Sequence, residues 1–200
     1  MTGVGGTRSL LLSTRNPHKL REFNRLLAEG RIAVDPLPDD VELPPEDGET
    51  FADNALPKAR TAAAVTGRVA IADDSGIEAA ALDGRPGVRS ARYAGPAASD
   101  AENLAKLMAQ APVGSELRYV CALAYAEPAG GVQRVFVGES SGRLAPAPRG
   151  SGGFGYDPAF LPDGDYGGRT MAELSDAEKD AISHRGRAVA ALLHWLATRG

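Results

Sequence analysis

Val69-Ala70-Ile71-Ala72-Asp73-Asp74-Ser75-Gly76 joins a short, branched, apolar run to two adjacent carboxylates. The apolar half has the composition and length of a buried strand. The acidic half is costly, because like charges a few ångströms apart raise one another's pKa, so water, a cation or hydrogen-bond donors must offset the repulsion. In an open α/β sheet, ligands bind in the crevice beyond the carboxyl ends of the strands. The run therefore predicts a strand ending at Ala72, with the Asp pair at the mouth of a cleft and Gly76 allowing a sharp turn. Successive side chains on an extended backbone face opposite ways, which gives Asp73 and Asp74 different jobs.

The surrounding composition fits such a sheet protein. Of 200 residues, 43% are hydrophobic and 24% charged, which is ordinary for a soluble globular chain with a real core. A net charge of −4 argues against a general nucleic-acid binder, but leaves room for a small polyanion held by a local group of cations. The single Cys121 has no partner for an internal disulfide and suits a reducing, cytoplasmic setting. The apolar runs, Leu10-Leu11-Leu12 included, are too short for a signal peptide or a membrane span.

On either side of the Asp pair the chain alternates strand and helix signals. Residues 1–8 are Gly-rich and read as frayed, and residues 9–12 as a first strand. The polar loop Ser13-Thr14-Arg15-Asn16-Pro17-His18 follows, then a helix with Leu20, Phe23, Leu26 and Leu27 on one face. Asn16 is a good N-cap and Pro17 fits the first helical position. A strand passing through a polar loop into a helix N-terminus makes an anion site, and Thr14, Asn16 and Lys19 add a hydroxyl, an amide and an ammonium. The loop lacks the glycines and the Lys-Ser/Thr ending of a Walker A sequence. Residues 35–49 form a Pro- and acid-rich loop that can aim one or two carboxylates inward. Thr50 caps the next helix, which carries Asn54 and Lys58 and ends near Gly67; Pro57 either kinks that helix or marks a later start.

Beyond Gly76, Ser99 or Asp100 caps a helix with Leu104, Leu107 and Met108 inward, and residues 118–125 and 132–139 read as a hairpin about Gly130-Gly131. Gly150-Ser151-Gly152-Gly153-Phe154-Gly155-Tyr156-Asp157-Pro158 lets the backbone approach a ligand and leaves an aromatic ring free to stack. Ser175 fits a capping box, and Ser183-His184-Arg185-Gly186 leads into a last amphipathic helix with Val189, Leu192, Leu193 and Leu196 inward. No repeat and no zinc-type Cys/His spacing is present. A cationic loop (Thr14, Asn16, Lys19), carboxylates able to hold a hard cation (Glu46, Asp73, Asp74) and a stacking loop beside Lys179, His184 and Arg185 together ask for a nucleoside triphosphate with magnesium.

Six motifs in order then resemble one family, the inosine triphosphate pyrophosphatases. They are Thr14-Arg15-Asn16-Pro17-His18-Lys19; Glu46 through Thr50-Phe51 to Asn54 and Lys58; Ala72-Asp73-Asp74-Ser75-Gly76; Pro86-Gly87 to Ser90-Ala91-Arg92; Gly152-Gly153-Phe154-Gly155-Tyr156-Asp157-Pro158; and Lys179 to Ser183-His184-Arg185-Gly186. The resemblance implies an α/β fold, an elongated mixed central sheet flanked by helices, in two lobes with the active-site cleft between them. It implies one such domain over residues 1–200, usually a cytoplasmic homodimer that binds no nucleic acid and no membrane. The implied reaction is Mg2+-dependent hydrolysis of ITP, dITP or XTP to monophosphate and pyrophosphate. By the same resemblance Thr14, Arg15, Asn16, Pro17, His18 and Lys19 bind the triphosphate, with Lys58 on the phosphate side. Glu46 and Asp74 bind magnesium, and Asp74 is the general base with Asp73 beside it. Ser75 contacts substrate; Phe154, Gly155, Tyr156 and Asp157 form the base-side loop; Lys179, His184 and Arg185 complete the pocket. Arg15 stands where Gly is common, and Pro57 replaces an ordinary helical residue.

The rival classes fit less well. A phosphoryl-accepting receiver domain also has an Asp pair at a strand end, but after its first strand and in a shorter chain. A nucleotide-binding regulatory module without turnover, or a pyrophosphatase preferring another base, would share the same motifs.

Overall fold

The computed structural model describes residues 8–199. The Gly-rich start, residues 1–7, lies outside them, while Arg8, grouped above with that segment, is the first residue of a strand. Six strands form one sheet in the order β2-β1-β3-β4-β5-β6: β1 Arg8–Leu12, β2 Ile32–Pro36, β3 Ala70–Ala79, β4 Glu116–Ala126, β5 Gln133–Leu144 and β6 Phe160–Pro162. The first three are parallel and β3 through β6 antiparallel, so the sheet is mixed, as expected. Five helices flank it: α1 Pro17–Ala28, α2 Phe51–Thr66, α3 Asp100–Gln110, α4 Asp176–Ile182 and α5 His184–Thr198.

One expectation is corrected at the centre. The strand does not end at Ala72; β3 runs on through the acidic residues, with Asp73 opposite Leu123 and Asp74 opposite Ala122 of β4. Asp, Ser and Gly are poor strand formers, and the continuous antiparallel ladder to β4 overrides that local preference. The other edge of β3 is different. It pairs with β1 only at Ala70 and Ile71, and the Ser13 amide donates to the Ile71 carbonyl at 2.8 Å before β1 turns away. Among the described residues no strand lies beside that edge from Ala72 onward, apart from the isolated bridge between Glu78 and Pro86. Gly76 is likewise not a turn residue. A Cβ there would meet the Gly87 carbonyl oxygen at 2.5 Å and the Phe51 ring at 3.0 Å, so glycine permits a close approach rather than a bend.

The two faces of β3 are buried under different helices. Ala70 and Ala72, with Ala122, Ala124 and Ala126 of β4, pack on Ala55, Ala59, Ala62 and Ala63 of α2. Small residues on both sides let helix and sheet come close. Ile71, Cys121 and Leu123 point the other way, into Phe23 and Leu27 of α1 and Val189 and Leu192 of α5. Each fully buried Leu, Ile or Phe contributes roughly 1.5–3 kcal/mol. A third cluster, around Ile77, Leu107, Tyr119, Phe160 and Met171, carries the far end of the sheet.

Helix starts follow the local chemistry. The Asn16 side chain accepts from the His18 and Lys19 amides, and Thr50, Ser99 and Ser175 each form a capping box. α2 begins at Phe51 and continues through Pro57, so the late start is excluded. Two short strands, β2 and β6, carry no signal recognised in the sequence. Among the described residues no helix is long and apolar enough to cross a membrane.

Candidate active site

The gap left where β1 turns away from β3 is a cavity of about 350 Å³, lined by the 13–19 loop, the acidic loop at Leu43 and Glu46, β3, and the loop at Phe154. Strand alternation divides it. Asp73 faces α1 and α5, where Lys19 Nζ stands 3.0 Å and Arg185 Nε 3.3 Å from its Oδ2. Burial alone would push the Asp73 carboxyl up, but Lys19 and Arg185 outweigh it and hold the group well below the carboxylate range. Asp73 is a fixed anion.

Asp74 faces α2. Asn54 Nδ2 donates to its Oδ2 at 2.8 Å, and the Ser75 amide donates to Oδ1 at 3.0 Å. Asn54 is buried and fully used, since its Oδ1 accepts from the Gly48 amide at 2.8 Å. Burial raises the Asp74 pKa, and neither the Asn54 bond nor the more distant Lys58 and Lys19 cancel that. Lys58 instead donates to Glu46 Oε1 at 2.5 Å and to the Asp73 carbonyl at 2.7 Å. The pKa values of two neighbouring carboxylates are thus shifted in opposite directions, because one meets cations and the other meets an amide.

Opposite them lies a buried ionic cluster. Glu22 of α1 accepts from Lys179 Nζ on Oε1 at 2.6 Å and from Arg185 Nη1 on Oε2 at 2.7 Å. Lys179 also donates to Asp157 Oδ2 at 2.9 Å, and Arg185 Nη2 to the Ser75 hydroxyl at 2.7 Å. Burial would raise the Glu22 pKa, but Arg185 and Lys179 bring it below the ordinary value. His184 stacks on Tyr119, ring centroids 4.6 Å apart and planes 5° from parallel. Burial, then Arg185 and Lys179, push its pKa well below the usual histidine value, so the imidazole is neutral, and among the described residues its Nδ1 has no hydrogen-bond partner. The Phe154 ring lies 5.0 Å from the Arg185 guanidinium and 5.3 Å from Lys179 Nζ. Asp157 shapes this loop by accepting from the Phe154 amide at 2.9 Å and from the Tyr119 hydroxyl at 3.0 Å.

Comparison with known proteins places this geometry. Residues 10–195 match the model of the Ham1 family. The chain belongs to the Ham1 family. A dITP/XTP pyrophosphatase of Mycolicibacterium paratuberculosis is 50% identical over 198 residues, spanning 94% of this chain and 96% of the relative. One from Geobacter sulfurreducens is 47% identical, spanning 96% and 98%. A Ham1 protein structure from Coxiella burnetii superposes with a TM-score of 0.83 at 40% identity, covering 96% of this chain and 99% of that one.

In this Ham1 chain the cavity is lined by Thr14, Arg15, Asn16, Lys19, Glu46, Lys58, Asp74, Ser75, Phe154, Gly155, Tyr156, Asp157, His184 and Arg185. Asp73 and Lys179 stand behind the wall, bonded to residues that line it. Pro17 and His18 do not line it; Pro17 opens α1, and the His18 ring sits 5.3 Å from Phe154 on its outer side. Arg15 reaches the lining, but its guanidinium turns outward to the 37–41 segment. The Tyr156 hydroxyl is spent on the Ser90 carbonyl at 2.8 Å. Four contributors were not singled out from the sequence as site residues. Glu22 lies one turn before Leu26 on the apolar stripe of α1, and an acid in that place was a readable signal. Asn54 was quoted only as part of a motif. Asp100, whose Oδ2 accepts from the Gly155 amide at 2.8 Å, and Tyr119 gave no local sign, because their partners lie 55 and 38 residues away.

Proposed function

We propose that this Ham1 chain hydrolyses non-standard purine nucleoside triphosphates, dITP, XTP and ITP, to the monophosphate and pyrophosphate. The observation that carries the reading is the division of one cavity by β3. On one side stands a carboxylate of raised pKa beside Asn54 and the acidic loop; on the other stand Lys19, a neutral imidazole and a guanidinium, the last beside an aromatic ring. The named activities of the relatives support the same conclusion.

Lys19 and the positive end of the α1 dipole neutralise phosphate charge, while Asn16 keeps the His18 and Lys19 amides for itself. Asp74 orients a water and takes its proton as oxygen attacks the α-phosphorus; the bond to the bridging oxygen breaks and pyrophosphate leaves. A raised pKa suits Asp74 to that role, whereas Asp73, locked by Lys19 and Arg185, keeps the cations in place. Among the described residues no group of three or more His, Cys, Asp or Glu gathers as a metal cage. The fit is to magnesium, which takes one or two carboxylates plus substrate phosphates; Glu46 and Asp74, both lining the cavity, would hold it. When bound it supplies further charge neutralisation on the phosphates. The base would lie beside Phe154 and the His184–Arg185 pair, whose donors would meet a 6-oxo group; an adenine amino group leaves them unpaired, which a hydrogen-bonding site rejects strongly. The resemblance also supports a homodimer working in the cytoplasm as part of this proposal.

The test is a product assay with magnesium and, separately, dITP, XTP, dGTP and ATP, with products separated by ion exchange. Monophosphate plus pyrophosphate from dITP and XTP, with dGTP and ATP spared, is expected. Diphosphate plus phosphate, or no turnover by folded protein, overturns the proposal.

A further inference from the structure

Arg15 is not placed as a phosphate ligand. Its Nη1 donates to the Leu37 carbonyl at 3.0 Å, and its Nη2 to the carbonyls of Pro38 at 2.8 Å, Asp39 at 3.2 Å and Val41 at 3.0 Å. Asp39 Oδ1 adds a further bond to Nη1 at 3.3 Å. Four backbone carbonyls therefore converge on one planar cation. Without it their negative ends would face one another, and the segment would keep the Val41-to-Pro38 turn bond at 3.2 Å and the burial of Leu37 and Val41 but no cation to gather its carbonyls. A guanidinium can serve this array because its N–H groups radiate in a fixed fork; an ammonium has three donors on a flexible stem.

The segment so held leads directly to Glu46. Leu37 and Val41 are buried, and the spacer from Val41 to Glu46 contains Pro44-Pro45, whose φ angles are fixed. At the far end Arg92 Nη2 donates to the Glu46 carbonyl at 2.8 Å, and Lys58 grips its carboxylate. The acidic loop is thus pinned at its start by a residue of the phosphate loop and at its end by Arg92 and Lys58.

We propose that Arg15 is a positioning residue that straps the 37–41 segment to the phosphate loop and, through the two prolines, sets where Glu46 stands. Its effect on turnover rests on the reading of Glu46 as a magnesium-side carboxylate; its effect on the loop does not. Two variants decide between a strap and a direct phosphate contact. A phosphate contact needs charge, so Arg15→Lys would keep it and Arg15→Gln would lose it. A strap needs the fork, so both variants lose it.

The experiment combines amide hydrogen exchange of the metal- and nucleotide-free protein with magnesium titrations of dITP turnover, for the native chain, Arg15→Lys, Arg15→Gln and Glu46→Gln. Faster exchange across residues 37–47 is expected in both Arg15 variants, with the circular dichroism spectrum unchanged. The half-saturating magnesium concentration should rise about 10-fold or more in both, in the range seen when residues supporting a metal ligand are removed, with kcat at saturating magnesium retained. Native exchange in both variants, or native behaviour in Arg15→Lys alone, overturns the strap. If Glu46→Gln leaves magnesium dependence unchanged, the magnesium reading of Glu46 fails instead, and exchange alone judges Arg15.

Discussion

Glu22→Gln removes the one anion shared by Lys179 and Arg185. The Glu22 side chain is 10% exposed and its two partners 5% each, so neither cation can turn to water. Breaking a buried pair by removing one partner costs about 3–5 kcal/mol. Here each cation keeps a second acid, Asp157 at 2.9 Å for Lys179 and Asp73 at 3.3 Å for Arg185, which sets the expectation at the lower end, about 3 kcal/mol. In a 200-residue chain that lowers Tm by about 6–12 °C. The pH dependence supplies an independent sign. Because the folded-state pKa of Glu22 lies below its ordinary 4.5, the stabilisation is present above that value and fades as pH falls through the lowered one. Thermal unfolding followed by circular dichroism at neutral pH and in acid measures both. A Tm drop below about 2 °C, or a gap between native and variant that does not narrow in acid, would refute the cluster as a buried, shared-charge assembly.

Asp74→Asn should abolish turnover of dITP while the unfolding transition stays near that of the native chain; a folded variant with near-normal turnover removes Asp74 from the chemistry. His184 carries its own acid sensitivity. The unfolded chain takes a proton near pH 6.5 and the folded chain resists it, so stability is intact above that pH and falls by up to about 1.4 kcal/mol per unit below it. Urea unfolding between pH 7.5 and 5.5 checks this, and His184→Asn should flatten the slope; equal slopes would contradict a buried neutral imidazole. Gly138→Ala should loosen the site from beneath the first turn of α5. Its Cβ would run into the His184 carbonyl and meet the Ala188 amide nitrogen at 2.5 Å, so β5 or the first turn of α5 must move, and activity should fall with stability.

What could be read in the sequence was what is decided locally. Asn16, Thr50, Ser99, Ser175 and Ser183 start helices through bonds from amides two or three residues ahead, and those spacings are written in the chain. The same holds for the β4–β5 hairpin. The continuation of β3 through Asp73 to Ala79 was not legible, because its cause is a ladder to residues more than 35 positions away. Nor was the direction of Arg15, set by carbonyls 22 to 26 residues on. Most of the motif residues line the cavity, yet the motifs said little about which touch it and which, like Lys179 and Asp73, hold others that do.

The alternation of Asp73 and Asp74 across β3 has a consequence for how such an enzyme can change. The residues that would judge the base, on α5 and the Phe154 loop, are anchored through Asp73, Glu22 and Asp157 on one side of the sheet. Those that would cut the phosphate chain, Asp74, Asn54, Lys58 and Glu46, are anchored in α2 and the acidic loop on the other. The two sets meet along β3, at the Asp73 carbonyl that Lys58 grips and at Ser75, whose amide donates to Asp74 while its hydroxyl accepts from Arg185. Substitutions on α5 and the Phe154 loop can redraw the base side while leaving Asp74, Asn54, Lys58 and Glu46 in place, provided that Asp73 keeps its hold on Lys19.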